Sequence, residues 1–464
     1  MPDMPAITVL GRKLDSIPFS AYHITVILVL GLVGFVDGYD LALTGSLLVL
    51  AKAPLHITPE QIRFLSVAAT MFVVVGGFIA AAISDHVSRK MIIQIGVIGT
   101  TFFTLLIPFA QTAEQLIIIR LLTGIGLGFA ITAPFPVAAE LMPAQHRRTY
   151  GAIYEICLAS AFALLPLVAG LLAGTENGFR WIALPGGLAL FVVPILVHLV
   201  IPQSARWQLR RGKTEAAVET VNDFIRRCGN RVPLLTVADL GSNLAEARKR
   251  LPRFTALFAP GQFRWTAVGI VTAMSAGTAY YMIAILLPKA LIDQGAAVTT
   301  GFGITTIVFL ATIPGKAFNA YLMEKIGRRW TIACALSCAL PGLVLMGGAH
   351  LAGDYAGMVM TAGAIFLGFT ALSAFPSTRV YLSEQFPTAL RGRGNIFGEA
   401  FGRIFAGVLA PFLIEPYTGS AVAFFGTITI VVLCGAFIPV LFGKETTGQL
   451  EAVTEPGLVL EPAE

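Results

Sequence analysis

Twelve runs of about 20 mainly apolar residues follow one another along the chain, and they constrain its fold more than any other feature. A helix of about 20 apolar residues crosses the hydrocarbon core of a bilayer with its backbone hydrogen bonds satisfied internally. Six runs, spans 1 to 6, lie at 22–48, 62–84, 90–110, 114–142, 149–173 and 180–201. Spans 7 to 12 lie at 263–292, 298–323, 330–350, 355–383, 392–414 and 419–443. The sequence therefore predicts an all-α membrane protein with twelve transmembrane helices.

The composition agrees with a membrane protein. Of the 464 residues, 56% are hydrophobic and 12% are charged, whereas soluble domains carry about 25% charged residues. The formal net charge of +6 could suggest binding to nucleic acid. The basic residues, however, cluster in the loops between the apolar runs, as orientation signals do. We therefore expect the lipid bilayer as a partner, and no nucleic acid.

Basic pairs in alternate loops predict how the chain is oriented. Arg89 with Lys90 and Arg328 with Arg329 lie on one side of the predicted membrane, together with the basic segment 202–262. Cytoplasmic loops carry the excess of Lys and Arg in membrane proteins. The rule places the N-terminus, the central segment and the C-terminus in the cytoplasm, which an even number of spans allows.

The two halves of the chain repeat each other. ISDHVSRK (83–90) and LMEKIGRR (322–329) each place an acid before a basic pair at the same spacing, and ELMPAQHRR (140–148) matches EQFPTALRG (384–392). Two six-helix halves around a central site are the layout of many secondary transporters. We therefore predict two pseudo-symmetric six-helix bundles, a linker and a tail. Their predicted limits are 1–201 and 263–443 for the bundles, 202–262 for a cytoplasmic linker with amphipathic helices, and 444–464 for a cytoplasmic tail.

These motifs resemble those of the major facilitator superfamily over nearly the whole chain. RLLTGIGLGF (120–129) resembles the family's fourth-span pattern, and PQSARW (202–207) resembles the sixth-span exit of its sugar-porter and synaptic-vesicle-2-like branches. DGYD (37–40) is most similar to the first span of the bacterial aromatic acid:proton symporters. The resemblance implies a monomeric transporter of the inner membrane that works by alternating access. It also implies a proton gradient as the driving force, with no cofactor.

The sequence offers no signature of an enzyme. It contains no nucleophile–base set, no metal constellation and no P-loop pattern. We therefore expect neither catalysis nor transport driven by ATP.

Charged residues at the predicted cytoplasmic ends of the spans form a candidate gate. In related transporters such clusters bridge the two halves and separate when the halves move apart. Anchoring of the basic members by the positive-inside rule is compatible with this role. The candidate gate consists of Asp85, Arg89, Glu140, Arg147, Glu324, Arg328, Glu384 and Arg391.

Two aspartates near the middle of span 1 are candidates for proton coupling. Asp37 and Asp40 share one helical face, and a charge at the bilayer centre costs about 2.5–3.5 kcal/mol. Two interacting carboxyls lose their protons in separate steps. By the resemblance, Arg120 in span 4 matches an arginine that engages the position of Asp40 in proton-coupled sugar porters. Protonation of Asp40 would then free Arg120. A static ion pair is the alternative, and which aspartate carries the proton stays open.

Span 11 and three aromatic residues are candidates for substrate binding. Glu399 and Arg403 lie four residues apart and could neutralise each other. By the resemblance, however, the position of Arg403 is basic in mammalian organic anion transporters and acidic in their organic cation relatives. An arginine can grip a carboxylate with two parallel hydrogen bonds. Tyr280 and Tyr281 in span 7 and Phe135 in span 4 could stack on a ring, although packing is the commoner role of such residues.

Two further basic residues lie partly inside their spans, Lys316 in span 8 and Arg379 in span 10. Snorkelling of the long side chain to the membrane interface accounts for Arg379. The sequence suggests no comparable account for Lys316.

The predicted function is proton-coupled symport of a small organic anion, which the resemblance narrows to an aromatic carboxylate. Proton-coupled uptake of a sugar or polyol is the first alternative, since sugar-porter motifs are present. Export of a metabolite or drug is the second. A transporter-like nutrient sensor is the third, although such sensors usually carry a long cytoplasmic extension and the tail after residue 444 is short.

Overall fold

A computed structural model describes residues 6–83, 86–143, 147–240, 254–386 and 388–445. In this part of the chain, ten helical stretches are long and apolar enough to cross a membrane. One of them, Arg328–Glu384, contains two spans, because the chain turns back at Gly353, where φ is 54° and ψ is −123°. Span 11, with Thr388–Ile404 and Ala410–Ile414, lies outside these ten stretches and completes the set. The prediction of twelve transmembrane helices is confirmed.

Two of the first six spans, spans 4 and 6, are interrupted next to a proline. Span 4 breaks where Ala133 precedes Pro134, as expected because proline lacks a backbone donor. The bounds are Ala21–Leu50, Pro59–Ile83, Arg89–Leu106, Ala113–Thr132 with Pro134–Leu141, Arg147–Leu172, and Gly178–Leu188 with Val193–Val200.

The second six spans include two π-helical turns, Met282–Leu286 in span 7 and Phe405–Leu409 in span 11. The bounds are Pro260–Tyr281 with Leu287–Asp293, Val298–Lys325, Arg328–Ser337 with Leu340–Gly348, Ala356–Phe369 with Phe375–Glu384, Thr388–Ile404 with Ala410–Ile414, and Ala421–Phe442.

The helices of the two halves pack in the same pattern. Span 2 lies along span 4 as span 8 lies along span 10, and span 1 lies along span 5 as span 7 lies along span 11. The halves meet where span 5 packs against span 8, span 1 against span 7, and span 2 against span 11. The repeat seen in the sequence therefore reappears as a repeat of helix contacts.

Glycines allow the closest of these contacts. A Cβ at Gly124 or Gly128 in span 4 would collide with backbone atoms of span 2. A Cβ at Gly45 in span 1 would lie 2.7 Å from the carbonyl oxygen of Ala284 in span 7. Small residues let helix backbones approach within a membrane, where dispersion contacts replace the hydrophobic effect.

One end of the bundle carries most of the charged loops, and we call it the basic end. Here the linker helix Thr214–Arg227 buries one apolar face on the first half, with the Phe224 ring against Tyr22 and His23 of span 1. The predicted amphipathic helix is thus packed on protein. On the second half, the Glu445 carboxylate accepts hydrogen bonds from the backbone N–H groups of Arg328 and Arg329, at the start of span 9.

Candidate functional site

Arg120 and Asp40 form a buried ion pair between spans 4 and 1. Arg120 Nη1 donates to Asp40 Oδ1 at 2.7 Å, and its Nη2 donates to the Asp40 carbonyl oxygen at 2.8 Å and to Thr44 Oγ1 at 2.7 Å. The Thr104 hydroxyl of span 3 donates to Asp40 Oδ1 at 2.9 Å. Arg120 is 0% and Asp40 2% exposed. Asp40 Oδ2 has no hydrogen-bond partner among the described residues.

Gly38 sets how closely span 1 approaches span 5 beside the two aspartates. A Cβ at this position would lie 2.6 Å from the carbonyl oxygen of Leu158. Real Cβ atoms do not approach a carbonyl so closely, so only glycine fits. The short DGYD sequence therefore places an acid on either side of a helix contact.

Asp37 is buried one turn from Asp40 and faces a different set of charges. The charges that act on it are those of Arg403, Arg379, Asp40 and Glu155. Its Oδ1 atom has no hydrogen-bond partner among the described residues. A buried polar atom without a partner in the protein is usually satisfied by water or ligand. Asp37 therefore faces the interior between the halves, whereas Asp40 is held within the first half.

Arg403 lies in the last turn of helix Thr388–Ile404 in span 11 and contacts span 7. Its Nη1 donates to the Tyr281 hydroxyl oxygen at 2.7 Å, and the Arg403 side chain is buried. The side chain of Glu399 lies outside the described residues, so a local pair with Arg403 stays a prediction.

The other two predicted aromatic residues lie in different surroundings. Tyr280 is buried between Phe162, Phe309 and Phe375, with its ring stacked on Phe375 at a centroid distance of 5.0 Å. Phe135 packs against Tyr150 and Tyr154, at 5.5 and 4.8 Å. Of the predicted substrate residues, the structure directly joins Arg403 and Tyr281.

A second buried ion cluster, which was not predicted from the sequence, joins the halves. Lys316 Nζ of span 8 lies 2.9 Å from Glu155 Oε2 of span 5, and Arg379 Nη1 of span 10 lies 3.0 Å from Glu155 Oε1. The Glu155 and Lys316 side chains are each 5% exposed. The snorkelling interpretation of Arg379 is wrong, because its guanidinium turns inward to a carboxylate. The lone acid within apolar run 149–173 was the available clue.

Four described members of the candidate gate form two pairs, each within one half. Arg89 of span 3 donates to Glu140 of span 4, and Glu140 also accepts from the Ser204 hydroxyl at 2.6 Å. Arg328 of span 9 pairs with Glu384 of span 10 at 3.1 Å. Glu324 is exposed at the end of span 8. Asp85 and the side chains of Arg147 and Arg391 lie outside the described residues. The bridging of the two halves by this cluster stays a prediction.

A further charged cluster lies at the end of the bundle opposite the basic end. Lys289 Nζ of span 7 lies 3.2 Å from Glu415 Oε1 and donates to Thr418 Oγ1 at 2.9 Å. Glu415 is buried, and its Oε2 lies 3.9 Å from Arg63 Nε of span 2. With the Gly45 contact, this cluster brings the halves together at the opposite end.

Comparison with protein families places the chain in context. A model described as the Major Facilitator Superfamily matches residues 30–315 and 274–460. The chain is 25% identical to a niacin transporter of Acinetobacter baylyi, over 96% of this chain and 99% of that protein. It is 25% identical to an arabinose-proton symporter of Bacillus subtilis, over 91% and 92%. A 4-hydroxybenzoate transporter of A. baylyi is 23% identical, over 89% and 92%.

Solved structures share the fold. The xylose transporter of Escherichia coli, in a partially occluded inward-open conformation, superposes with a TM-score of 0.72 at 19% identity. The match covers 92% of this chain and 99% of that one. A similarity at this level of identity extends to the helix arrangement and not to the substrate.

The pairing of Asp40 with Arg120 leads to a prediction about stability. Arg120→Met should cost about 3–5 kcal/mol, because it leaves a buried carboxylate without its partner. Adding Asp40→Asn removes that charge, so the double variant should unfold at a higher temperature than Arg120→Met alone. Thermal unfolding of the purified protein in detergent measures both. Strictly additive losses would show that the two side chains are not coupled.

Proposed function

This chain belongs to the Major Facilitator Superfamily, and from that premise we propose that it carries a small organic anion, an aromatic carboxylate, together with protons. We also propose that the protein lies in the inner membrane with both termini in the cytoplasm, because basic residues are concentrated in alternate loops. Members of this family are membrane transporters. What we propose here is the identity of the transported solute and of the coupled ion.

The sum of the charges buried in the interior is the observation that supports an anionic substrate. Beside the neutral Asp40–Arg120 pair, the described charges near the centre are two acids and three bases. Their sum is +1 when all are ionised, and +2 when Asp37 holds a proton. The side chain of Glu399 lies outside the described residues and is not counted. These side chains are Asp37, Glu155, Lys316, Arg379 and Arg403.

Names of relatives support the carboxylate class. Niacin and 4-hydroxybenzoate, which two of the similar proteins are named for, are both aromatic rings that carry one carboxylate. Aromatic side chains line the region of the excess charge, with Tyr280 and Phe375 stacked beside Lys316 and Arg379. A ring and a carboxylate on one ligand match these two kinds of group.

Proton coupling is proposed to act through Asp40. The contacts of the Asp40 carboxylate with Arg120 and Thr104 hold spans 1, 3 and 4 together. A proton on Oδ2 would neutralise the carboxyl and weaken its attraction for Arg120. The contacts that fix the three helices would then loosen. An anion that travels with at least one proton also crosses with its charge compensated.

Sugar symport is the second candidate function. The arabinose-proton symporter among the relatives favours it. Against it, the buried amide side chains among the described residues are only Asn319 and Gln385, and Gln385 follows the last turn of span 10. Amides are the usual neutral groups that hold several sugar hydroxyls at once. Among the described residues, buried charged side chains, which suit an anionic substrate, outnumber the buried amides.

A panel of solutes tests the proposal. Purified protein in liposomes should accumulate labelled benzoate, 4-hydroxybenzoate or nicotinate when the lumen is more alkaline than the outside. Xylose and arabinose should not accumulate. Dissipation of the pH gradient by a protonophore should abolish accumulation. Accumulation of a sugar without any carboxylate would overturn the proposal in favour of the second candidate.

The role of Asp40 is tested by separating coupling from movement of the substrate. Asp40→Asn keeps the size of the side chain and removes the proton site. It should reduce gradient-driven accumulation by at least tenfold, while exchange of internal for external substrate continues. Asp37→Asn is the comparison. If Asp40→Asn accumulates substrate normally and Asp37→Asn does not, the proton site is Asp37.

The role of Arg403 is tested by ligand charge. Arg403→Gln should weaken binding of benzoate about tenfold and leave binding of neutral benzamide unchanged, because Arg403 contributes to the positive potential of the site. Isothermal titration calorimetry measures the affinity of the protein for each ligand. Arg226→Gln, on the exposed side of the linker helix, is the control. Unchanged benzoate affinity in Arg403→Gln would support a static structural role.

A further inference from the structure

Glu155 is the centre of an ion triad that spans the boundary between the halves. One carboxylate oxygen faces Lys316 and the other faces Arg379, and Lys316 Nζ also donates to the Glu155 backbone carbonyl at 2.9 Å. Glu155 belongs to span 5 of the first half, and both cations belong to the second half. The triad carries a net charge of +1 because one acid serves two bases.

The two cations lie against an aromatic surface. Lys316 Nζ is 5.8 Å from the centroid of the Tyr280 ring, and the Arg379 guanidinium is 4.9 Å from that of Phe375. The two rings stack on each other. The Tyr280 hydroxyl is buried and has no hydrogen-bond partner among the described residues. Two cations, an aromatic surface and an unsatisfied hydroxyl are the groups that an aromatic carboxylate requires.

The cations cannot fully serve two carboxylates at once. Both donors already point at Glu155, and a second carboxylate beside it would meet repulsion from Glu155 and from Asp37, which lies in the same electrostatic environment. Arg403, on span 11, adds positive charge from its place beside Tyr281. A carboxylate ligand can therefore pair with Lys316 and Arg379 only when their ion pairs with Glu155 weaken.

We propose that Glu155 is an internal competitor of the substrate: it occupies Lys316 and Arg379 in the substrate-free protein and yields both to the substrate's carboxylate. The exchange also removes the ionic link between the halves, so binding of the correct ligand loosens the interface of spans 5, 8 and 10. A neutral ligand cannot replace Glu155 on the cations and leaves the link in place. This inference rests on the proposed function, because it requires a carboxylate substrate.

Removal of the competitor should strengthen ligand binding. Glu155→Gln keeps the shape of the side chain and removes its charge, so the Kd of benzoate should fall tenfold or more, while that of benzamide stays the same. Lys316→Gln and Arg379→Gln should each raise the Kd of benzoate at least tenfold. Glu114→Gln, an exposed glutamate near the opposite end, is the matched control and should bind as the unmodified protein does. Isothermal titration provides the constants.

A second measurement follows the link between the halves without any ligand. Spin labels at Arg226→Cys on the linker helix and Lys325→Cys at the end of span 8, in a chain whose five native cysteines are replaced, report the distance between the halves. Both positions are exposed. Ligand-free Glu155→Gln should show the distance distribution that the unmodified triad shows only with benzoate bound. Glu155→Asp, whose shorter side chain reaches the two cations less well, should shift both readouts in the same direction if Glu155→Gln does not fold.

The outcomes separate this inference from the proposed function. If the protein accumulates benzoate but a folded Glu155 variant binds it no more tightly and shows an unchanged distance, only the inference is overturned. If neither the protein nor its Glu155 variants bind any carboxylate of the panel, both are overturned. Tight benzoate binding that appears only in Glu155→Gln would support the inference and show that the competitor is strong.

Discussion

A charge inside hydrocarbon must be compensated by another charge, and this requirement determines how the interior helices meet. Insertion of one uncompensated charge at the bilayer centre costs about 2.5–3.5 kcal/mol. The described ion pairs of the interior accordingly join different spans. Arg120 with Asp40 joins spans 4 and 1, and Glu155 with Lys316 and Arg379 joins span 5 to spans 8 and 10. The apolar surface of the helices fixes their depth in the membrane, and the ion pairs fix which faces turn inward.

The two ion clusters differ in what they can do. The Asp40–Arg120 pair lies within the first half, so its state affects how spans 1, 3 and 4 hold together. The Glu155 triad crosses between the halves, so its state affects how the halves hold to each other. Asp37 is acted on by charges of both clusters. In the proposed mechanism, a proton neutralises a charge of the first cluster and a carboxylate breaks ion pairs of the second. Both changes alter the electrostatic potential at Asp37.

Much of the fold, and part of the site, could be predicted from the sequence. Apolar length predicts the spans because a bilayer has a fixed thickness, and repeated loop motifs predict two similar halves. Asp40 and Arg120 could be proposed as partners by resemblance. The partners of Arg379 could not, since a basic residue near a helix end satisfies the snorkelling rule equally well in sequence. Whether it turns out to the interface or in to Glu155 depends on the rotation of span 10 against spans 5 and 8. That rotation comes from packing of residues far apart in the chain.

The segments outside the bilayer are divided between the halves. The linker helix is fixed to the first half through Phe224, and the start of the tail is fixed to the second half through Glu445. Neither contact crosses the boundary between the halves. Each half therefore carries its own polar attachment as one mechanical piece. If the two halves rock against each other, the linker helix and the start of the tail move apart with them. Substrate or proton binding between the membrane helices would then change the shape of the protein at its aqueous surface.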